Sequence, residues 1–531
     1  MRRWNGWGDD GTDHPLSPSG AHMLRNVIGV GTPPDDAPFE SVIATVPTPR
    51  LPHHPLVLTD PGVRLRHARG QSLLDWVALR SGRIGSFPDG VVLPRTEEEV
   101  REVLTWAAHI GARLIPYGGG TSVLGHINPQ PDDRPVVTID MRRINQLLHF
   151  DEVSRLATFG AGVSGPDLEG QLRARGYTLG HFPQSFEYST LGGWVATRSS
   201  GQQSLGYGRM EDLFAGGRLE APAGSIELPP YPASAAGPDL RQLVLGSEGR
   251  LGVLTRATVR VTRFPEREQF HGVFFPGFAT GQNAIREMVQ AGIPLSMLRL
   301  SSSRETILTL ALAGHPRAIA AMERVFSLRK IGQAKSLLIM GFTGAAVEVR
   351  RARRIAIRII RRHGGVNVGR PLGNRWLAGR FAAPYLRNNL WQMGYAVDTW
   401  ETATDWTHVA EIVEAIEEAA LHTPLHDTDE RILTFTHISH VYPTGASVYT
   451  TCVFRTAAEF ERTIDRARRL KRAVSETILA HGGTISHHHG VGLDHLPYMQ
   501  TEKGALGVAV IGDALRRFDP DGLMNPGKLV P

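Results

Sequence analysis

The stretch Tyr117-Gly118-Gly119-Gly120-Thr121-Ser122 decides the fold, and it follows a predicted strand over Arg113 to Pro116. Three successive residues without Cβ leave backbone N–H groups open in a concave turn, which suits a phosphate or pyrophosphate. The loop is neither a Gly-x-Gly-x-x-Gly fingerprint nor a Walker loop. On these residues alone, a phosphate site and an ordinary tight turn are equally good interpretations.

Two further glycine-bearing stretches favour the phosphate site. One runs from Pro183 through Gly192-Gly193-Trp194 to Gly201, and the other is Gly246-Ser247-Glu248-Gly249-Arg250-Leu251-Gly252. Each offers hydroxyl groups or backbone donors beside the end of a predicted strand or helix. Three such loops in one region indicate an extended dinucleotide.

Length and composition describe a globular protein of several domains. The chain has 531 residues, of which 41% are hydrophobic and 21% charged, and this length predicts two to four domains. The single cysteine, Cys452, excludes an intramolecular disulfide and lies in a predicted strand, so we expect a buried thiol in a reducing compartment. The sequence has no apolar run of spanning length and no secretory signal, which predicts a cytoplasmic protein.

The chain divides into four predicted segments. Residues 1–60 form an N-terminal arm, because positions 9–60 are rich in Pro, Gly, Asp and His. A first α+β domain covers 61–265, a second covers 266–460, and a helical segment over 461–531 returns to the first. The helix of this last segment ends at Gly482-Gly483.

Local patterns support these segments. A capping box at Thr96-Glu97-Glu98-Glu99 begins a helix that ends at Gly111. Alternating or continuous apolar residues predict the following strands: 253–261, 269–275, 336–342 and 447–454.

Three consecutive imidazoles follow the helix, in Ser486-His487-His488-His489-Gly490-Val491-Gly492. Adjacent residues point in different directions on a strand or a helix, whereas zinc sites space their histidines to share a face, so we expect no metal site here. Glycines on one side let the backbone approach a ligand. The run therefore predicts a pocket wall, against the alternative of solvated or core histidines.

A basic helix is predicted over Arg350 to Arg362. Seven arginines fall within it, and Ile355, Ile357, Ile359 and Ile360 add apolar bulk. Peripheral contact with an anionic membrane or an acidic ligand is one interpretation, and an ordinary exposed helix face is the other. Nucleic acid is not an expected partner, because no recognised motif accompanies the charge.

Long-range motifs carry a resemblance to known enzymes. The Gly118 loop, the Gly246 to Gly252 segment and the closing Asp519-Pro520 to Asn525-Pro526-Gly527-Lys528-Leu529 resemble FAD enzymes of the vanillyl-alcohol oxidase and para-cresol methylhydroxylase superfamily. Over nearly the whole chain, the sequence more closely resembles the alkyldihydroxyacetonephosphate synthase family. That likeness rests on the following motifs: Ser185 to Trp194, Thr197-Arg198, Tyr207-Gly208 with Glu211-Asp212, Trp400-Glu401-Thr402 and Ser486 to Gly492.

The resemblance implies an α+β fold with a split FAD-binding domain of this type and an α+β substrate (cap) domain. It implies non-covalent FAD, with His126 as the residue that leaves covalent attachment open, and a homodimer. The residues expected to bind FAD are Pro116, Gly118, Gly119, Gly120, Thr121, Ser122, Gln184, Ser185, Ser189, Thr190, Gly193, Thr197, Ser200, Glu248, Gly252 and Val253.

The implied reaction exchanges the acyl group of acyl-dihydroxyacetone phosphate for a fatty alcohol, with the substrate carbon carried on the flavin N5. The resemblance places Tyr449, His487, His488 and His489 at catalytic positions and Arg387, Arg299 and His181 at substrate positions. A tyrosine of ordinary pKa is a poor base at neutral pH, so we expect the nearby histidines or a cationic group to lower the pKa of Tyr449.

Two departures limit the resemblance. Gly217-Arg218-Leu219-Glu220-Ala221-Pro222 lacks the smooth apolar strand expected there, which predicts an altered sheet edge, and no long targeting extension is present to imply peroxisomal import. Relatives in the superfamily oxidise 2-hydroxy acids with a similar FAD domain. A dehydrogenase or oxidase of a 2-hydroxy acid or another alcohol therefore remains the alternative activity, and a non-catalytic flavin- or lipid-binding module comes third.

Overall fold

The computed structural model describes residues 1–312, 326, 331–424 and 430–530, so the predicted second domain (266–460) is described with three gaps. The strands are β1 Val57–Leu58, β2 Gly90–Val92, β3 Arg113–Tyr117, β4 Val136–Asp140, β5 Leu147–Asp151, β6 Leu156–Gly160, β7 Tyr177–Thr178, β8 Phe214–Ala221, β9 Gly224–Leu228, β10 Val253–Arg260, β11 Thr262–Arg263, β12 Arg267–Phe275, β13 Met297–Ser301, β14 Ser336–Gly344, β15 Val366–Gly369, β16 Tyr395–Asp405, β17 Leu433–Val441 and β18 Gly445–Arg455.

The helices are α1 Pro18–Ile28, α2 Phe39–Ile43, α3 Pro61–Arg66, α4 Leu73–Ser81, α5 Glu97–Ile110, α6 Gly165–Arg173, α7 Leu191–Ala196, α8 Ser204–Tyr207, α9 Met210–Leu213, α10 Arg241–Val244, α11 Phe278–Gln290, α12 Ser303–Leu312, α13 Ala346–Arg362, α14 Pro371–Gly379, α15 Ala383–Gln392, α16 Val409–His422, α17 Phe460–Ala480 and α18 Met499–Phe518. None of the helices within these described ranges is both long enough and apolar enough to cross a bilayer.

The first glycine loop follows β3 in a sheet of order β1-β2-β4-β3, in which β2, β4 and β3 run parallel. The preceding helix, α5, ends at Gly111 with a φ of 69°, as predicted. Its predicted capping box is only half formed. Thr96 Oγ1 accepts from the Glu99 N–H, but the Glu99 carboxylate accepts from the Arg95 N–H instead of from Thr96.

The second sheet of this region is antiparallel, in the order β5-β6-β10-β8-β9. The sequence predicted an altered sheet edge at Gly217 to Pro222, but β8 is an inner strand, paired with both β10 and β9 and buried along most of its length. Its pairing with β10 is irregular, because the register shifts between Leu254 and Arg256 and again between Thr258 and Val259. Its polar Glu220 is compatible with burial since Arg101 and Arg218 pair with it.

The second region is built on an antiparallel sheet of order β15-β12-β14-β13-β17-β18-β16. Side chains alternate between its two faces. On one face, Leu338, Met340 and Phe342 pack with α11, α13, α16 and α17, and on the other, Leu337 and Ile339 pack with α12 and α14. Cys452 is buried on β18, as predicted.

Both chain ends contact these regions. The N-terminal segment contains α1, α2 and β1, and it lies against the second region, where Trp7 N donates to Asn388 Oδ1 over 3.1 Å. At the other end, the N–H of Asn525 donates to the Leu114 carbonyl over 2.7 Å, so the chain returns beside β3.

Candidate active site

One continuous cavity joins the two regions. Its volume is about 840 Å³, which is within the range of cofactor and ligand sites. The glycine loops form one wall, and the face of the large sheet that carries Leu337 and Ile339 forms the other. All sixteen residues predicted to bind FAD line this cavity.

The glycines of the first loop are required by close packing against the second loop. A Cβ on Gly118 would lie 2.2 Å from Thr190 Oγ1, and one on Gly119 would lie 1.9 Å from the Tyr188 carbonyl oxygen. Real Cβ atoms do not approach other atoms so closely, so only glycine lets the two loops meet. Both loops line the cavity.

The backbone N–H groups of residues 118–123 fit a phosphate ligand. Within the described part of the chain, none of these groups donates a hydrogen bond to a protein acceptor. Buried backbone donors are almost always paired, so consecutive free donors at a cavity wall indicate an anionic ligand.

Glu248 joins the third glycine loop to the histidine segment. Its carboxylate accepts from the N–H groups of Val491 and Gly492, and His126 Nε2 lies 3.1 Å away. Burial raises the pKa of Glu248, but His126 and these N–H groups overcome that effect and lower it. His126 Nδ1 lies 2.6 Å from Ser122 Oγ, and its Nε2 lies within ion-pair distance of Glu248 without a well-aligned hydrogen bond.

Tyr449 lies at the centre of the cap-side wall. On β18 it is directly opposite Glu401 of β16 and His437 of β17, so the three side chains share one face of the sheet. Its ring centroid is 5.2 Å from that of His437, 5.7 Å from His489 and 6.2 Å from His488. The structure therefore brings Tyr449 and the histidines together, as the sequence predicted.

The predicted lowering of the Tyr449 pKa is wrong. Burial, as the largest cause, raises the pKa of Tyr449 to about 12, and the Glu401 carboxylate adds to this, while Arg387 opposes it. Burial also lowers the pKa of His489 to about 3, so that ring is neutral and supplies no positive charge. Tyr449 is therefore a phenol at neutral pH and offers its O–H as a donor or proton source.

The histidine segment is held by one buried carboxylate. Glu401 accepts hydrogen bonds from Ser486 Oγ at 2.7 Å and from the N–H groups of His487, His488 and His489 at 2.8, 3.0 and 2.9 Å. Its side chain is 1% exposed. The carboxylate thus sets the conformation of the whole turn, and through it the positions of the three rings.

The three histidines have different environments. His488 and His489 line the cavity, whereas His487 is buried behind them, with its Nδ1 3.0 Å from His488 Nδ1 and its Nε2 2.5 Å from Tyr442 Oη. Its predicted place in the catalytic wall is therefore corrected to the layer behind. Burial lowers the pKa of His487 well below the ordinary value.

A fourth imidazole, His440 of β17, completes this cluster. Its ring centroid lies 5.0 Å from that of His487, and its Nδ1 is within hydrogen-bond distance of the Ser200 and Ser204 hydroxyls. Nitrogens of His440, His487 and His488 lie within 4.8 Å of one another, a set that could hold a metal ion. His440 is remote in sequence from the other two histidines, and the expectation of no metal site stays a prediction.

Arg387 on α15 is a cation that lines the cavity with much of its hydrogen-bonding capacity free. Its Nη1 donates to the Gln71 carbonyl over 2.7 Å, and its guanidinium lies 4.4 Å from the Trp76 ring centroid. No carboxylate lies within 4 Å of it in the described ranges. Burial lowers the pKa of Arg387 to about 10, so it remains charged at neutral pH and is complementary to an anionic group.

Arg299 also lines the cavity, but it is already paired. Its guanidinium forms an ion pair with Glu305 and lies 3.2 Å from His437 Nδ1. Burial raises the pKa of Glu305, yet Arg299 and His437 overcome this effect and bring it to about 2. Arg299 therefore holds His437 beside Tyr449.

His181 is not in the cavity wall. It is buried, with Nε2 3.1 Å from Ser199 Oγ and its ring centroid 4.7 Å from that of Trp194. Ser199 and Trp194 do line the cavity, so the predicted contact of His181 with substrate is corrected to an indirect one. Burial lowers the pKa of His181 to about 3.

Beyond Tyr449 and Arg299 the cavity continues between the sheet and α12 and α14. This apolar extension is lined by Met297, Leu310, Leu337, Ile339, Leu372 and Trp376. An apolar pocket that leads away from a cationic head site suits an amphiphile with an anionic group and a hydrocarbon chain.

Sequence reasoning missed several residues of the wall. Phe435, His437 and Ser439 occupy every second position of β17, and this period of two predicts that they share one face of the strand. That signal was available in the sequence. Trp7, Gln71 and Asp398 carried no comparable signal, because only the tertiary fold brings them to Arg387.

Comparisons with known proteins agree with this architecture. The family described as FAD linked oxidases, C-terminal domain, matches residues 264–529, and the FAD binding domain family matches residues 88–227. Alkyldihydroxyacetonephosphate synthase from Dictyostelium discoideum is 31% identical, covering 100% of this chain and 93% of its own length. The enzyme of that name from Trypanosoma brucei brucei is 30% identical, with 100% and 92% covered. A solved structure of an alkyldihydroxyacetonephosphate synthase matches with a TM-score of 0.84 at 28% identity, over 99% of both chains.

The matched families confirm the predicted fold class, a split FAD-binding domain with an α+β cap domain. They also confirm FAD as the cofactor. The loops that carry the free N–H groups of residues 118–123 are the part of this chain that fits its pyrophosphate.

Proposed function

Because the chain belongs to the alkyldihydroxyacetonephosphate synthase family, we propose that it exchanges the acyl group of acyl-dihydroxyacetone phosphate for a long-chain alcohol. The observation that carries this proposal is the single cavity in which the glycine loops, Tyr449, Arg387 and an apolar extension follow one another. A flavin site, an acid–base group, a cation and a hydrocarbon pocket are the parts that such a reaction requires.

The proposed substrate position follows from charge and polarity. The phosphate binds Arg387, whose planar fork of N–H donors suits phosphate oxygens and has no carboxylate within 4 Å in the described chain. The hydrocarbon chain of the acyl group, and then of the alcohol, occupies the extension lined by Leu337, Ile339 and Trp376. The reacting carbon then lies between the glycine loops and Tyr449.

Each polar residue has a proposed part in the exchange. FAD would be held by the glycine loops and would supply a ring that can act both as nucleophile and as leaving group. Tyr449 is protonated in its resting state. It donates a proton to the reacting carbon or its oxygen and later takes a proton back. His488 and His489 line the same wall and move that proton or bind the departing carboxylate. Glu401 holds the backbone of these two histidines, and Arg299 holds His437 beside Tyr449.

The test is a product analysis with labelled alcohol. The purified flavoprotein is incubated with palmitoyl-dihydroxyacetone phosphate and a long-chain alcohol that carries ¹⁸O in its hydroxyl group. The proposal predicts free palmitate and an ether that retains the ¹⁸O. Hydrolysis without ether formation, or no release of palmitate, would contradict it.

We propose in addition that α13 contacts anionic membranes. Its buried residues, Val349, Ala352, Ala356, Ile359 and Ile360, occupy one side of the helix. The opposite side exposes Arg350, Arg351, Arg354, Arg358 and Arg361, none of which has an ion-pair partner in the described ranges. A polybasic face attracts anionic lipid by about 1 kcal/mol for each cation near the surface.

Vesicle binding tests this surface. We expect binding to phosphatidylserine-containing vesicles but not to phosphatidylcholine alone, and loss of binding in the double variant Arg354→Glu/Arg358→Glu. The control reverses two exposed arginines elsewhere, Arg143→Glu/Arg175→Glu, with the same change in net charge. Equal loss in both double variants would mean that net charge, and not α13, governs the binding.

The predicted homodimer is checked by sedimentation equilibrium of the same preparations.

A further inference from the structure

A chain of hydrogen-bonded rings leads from the cavity towards the protein surface. His488 lines the cavity, and its Nδ1 lies 3.0 Å from Nδ1 of His487. The other nitrogen of His487, Nε2, lies 2.5 Å from Tyr442 Oη. Tyr442 is half-buried and is followed by the exposed Pro443 and Thr444.

The proposed reaction needs such a path. An ester carbon–oxygen bond breaks and the carboxylate leaves with the electron pair, the alcohol loses its proton, and its oxygen forms the ether bond. No net oxidation occurs. At neutral pH the products therefore include one proton, which must leave the cavity.

We propose that His488, His487 and Tyr442 form a proton relay that carries this proton from the cavity to solvent. The inference rests on the proposed function. A proton arrives at Nε2 of His488, and the Nδ1 proton of that ring passes to Nδ1 of His487. The Nε2 proton of His487 then passes to Tyr442 Oη, whose own proton passes to water, and rotation of the hydroxyl and tautomer exchange restore the chain.

The groups around the relay suit this path. Burial lowers the pKa of His487 well below its ordinary value, so the ring is neutral and carries one N–H and one lone pair. It passes a proton only when one nitrogen gives up its proton as the other receives one. Glu401 Oε2 lies 3.2 Å from His488 Nδ1 and stabilises the positive charge that passes through that ring. Burial raises the pKa of Tyr442 to about 12, so the phenol exchanges its proton and does not ionise.

The remaining neighbours fix the relay in place. Arg209 donates from Nη2 to the His487 carbonyl over 2.8 Å, and its Nη1 lies 3.5 Å from Tyr442 Oη and 3.4 Å from His487 Nε2. Because a guanidinium only donates, this contact favours a lone pair on Nε2 at rest, so the relay requires the other tautomer of His487 when it carries a proton outwards. Its Nε pairs with Glu211 over 3.2 Å. His440 stacks against His487, but its Nδ1 is engaged by the hydroxyls of Ser200 and Ser204, which places it beside the path and not within it.

The variant Tyr442→Phe interrupts the relay at its outer end and removes only one hydroxyl group. Tyr498→Phe is the matched control, because Tyr498 is also half-buried but lies outside the relay. Turnover of palmitoyl-dihydroxyacetone phosphate with hexadecanol is followed as palmitate release and, with a pH indicator, as proton release. Both are measured in weakly buffered solution and again with added imidazole, a small proton carrier.

The relay predicts that Tyr442→Phe loses at least about tenfold in turnover at low buffer and recovers most of it with imidazole. Tyr498→Phe stays at the wild-type rate in both conditions. Wild-type turnover of Tyr442→Phe at low buffer would overturn the relay, as would a loss that imidazole does not restore. If Tyr442→Phe fails to retain FAD, His487→Gln is measured in its place, with the same two outcomes. Absence of palmitate release by the wild-type protein would instead refute the proposed function.

Discussion

Replacing Glu401 by Gln tests how the histidine segment is positioned. The carboxylate accepts from one hydroxyl and three backbone N–H groups of residues 486–489, and it is almost fully buried. Glutamine has nearly the same shape, but it carries no charge and offers one acceptor oxygen in place of two. Its NH₂ group must face N–H groups whose hydrogen bonds the carboxylate oxygen accepted, so those N–H groups lose their acceptor.

The expected magnitude follows from these bonds. About two buried donors lose their acceptor, at about 1–3 kcal/mol each, which gives a total of about 2–6 kcal/mol. If His488 and His489 are no longer held against Tyr449 and about 3 kcal/mol of this loss is added to the activation free energy, kcat falls about 10²-fold.

The assay combines activity, FAD content and stability. Glu169→Gln is the matched control, because this buried carboxylate accepts from Thr178 Oγ1 and from the N–H groups of Leu179 and Gly180, and it does not line the cavity. Both variants should lose comparable free energy of unfolding in denaturant titrations. Only Glu401→Gln should lose kcat while it retains FAD and its KM.

Two results would contradict this role of Glu401. A kcat of Glu401→Gln within about twofold of wild type would show that the segment does not depend on the carboxylate. Equal losses of kcat in both variants would show that the effect is one of general stability.

Further predictions concern the same wall. Arg387→Ala should raise KM for the phosphate substrate about 10²-fold with FAD retained, as expected for the loss of charge-assisted hydrogen bonds, and loss of flavin instead would contradict that role. Tyr449→Phe should lower kcat at least about 10²-fold with little change in thermal stability, and normal activity would move the acid–base role to a histidine. The pKa of Glu305 is about 2 in the folded protein and 4.5 ordinarily, so its charge should contribute about 3 kcal/mol to the free energy of unfolding above pH 4.5. This contribution should be lost as the pH falls towards 2. A stability difference between wild type and Glu305→Gln that does not shrink on acidification would contradict this. Dialysis against a chelator should leave activity unchanged, and a loss restored by Zn²⁺ would show that His440, His487 and His488 bind a metal.

The glycine loops and the strands could be predicted because their determinants are local. Short stretches of sequence determine the glycine loops, the apolar patterns of β10 and β18 and the helix cap at Gly111. All sixteen predicted FAD residues line one cavity, since loops that bind one dinucleotide must converge.

The electrostatics of the site could not be predicted in the same way. The histidines near Tyr449 suggested a lowered pKa, but burial dominates and raises it to about 12. Burial depends on the whole fold, so a list of neighbouring residue types gives the wrong sign. The different positions of His487 and His488 likewise depend on Glu401, which contacts them from 86 and 87 residues away.

The most direct test of the central claim follows the flavin and the leaving group together. The oxidised flavoprotein is mixed without oxygen with palmitoyl-dihydroxyacetone phosphate and hexadecanol, and separately with D-2-hydroxy acids, while the flavin absorbance and free palmitate are recorded. We expect many turnovers of palmitate release with no net reduction of the flavin, and no reaction with the hydroxy acids. Stoichiometric reduction of the flavin by a hydroxy acid, without release of palmitate from the lipid, would contradict it.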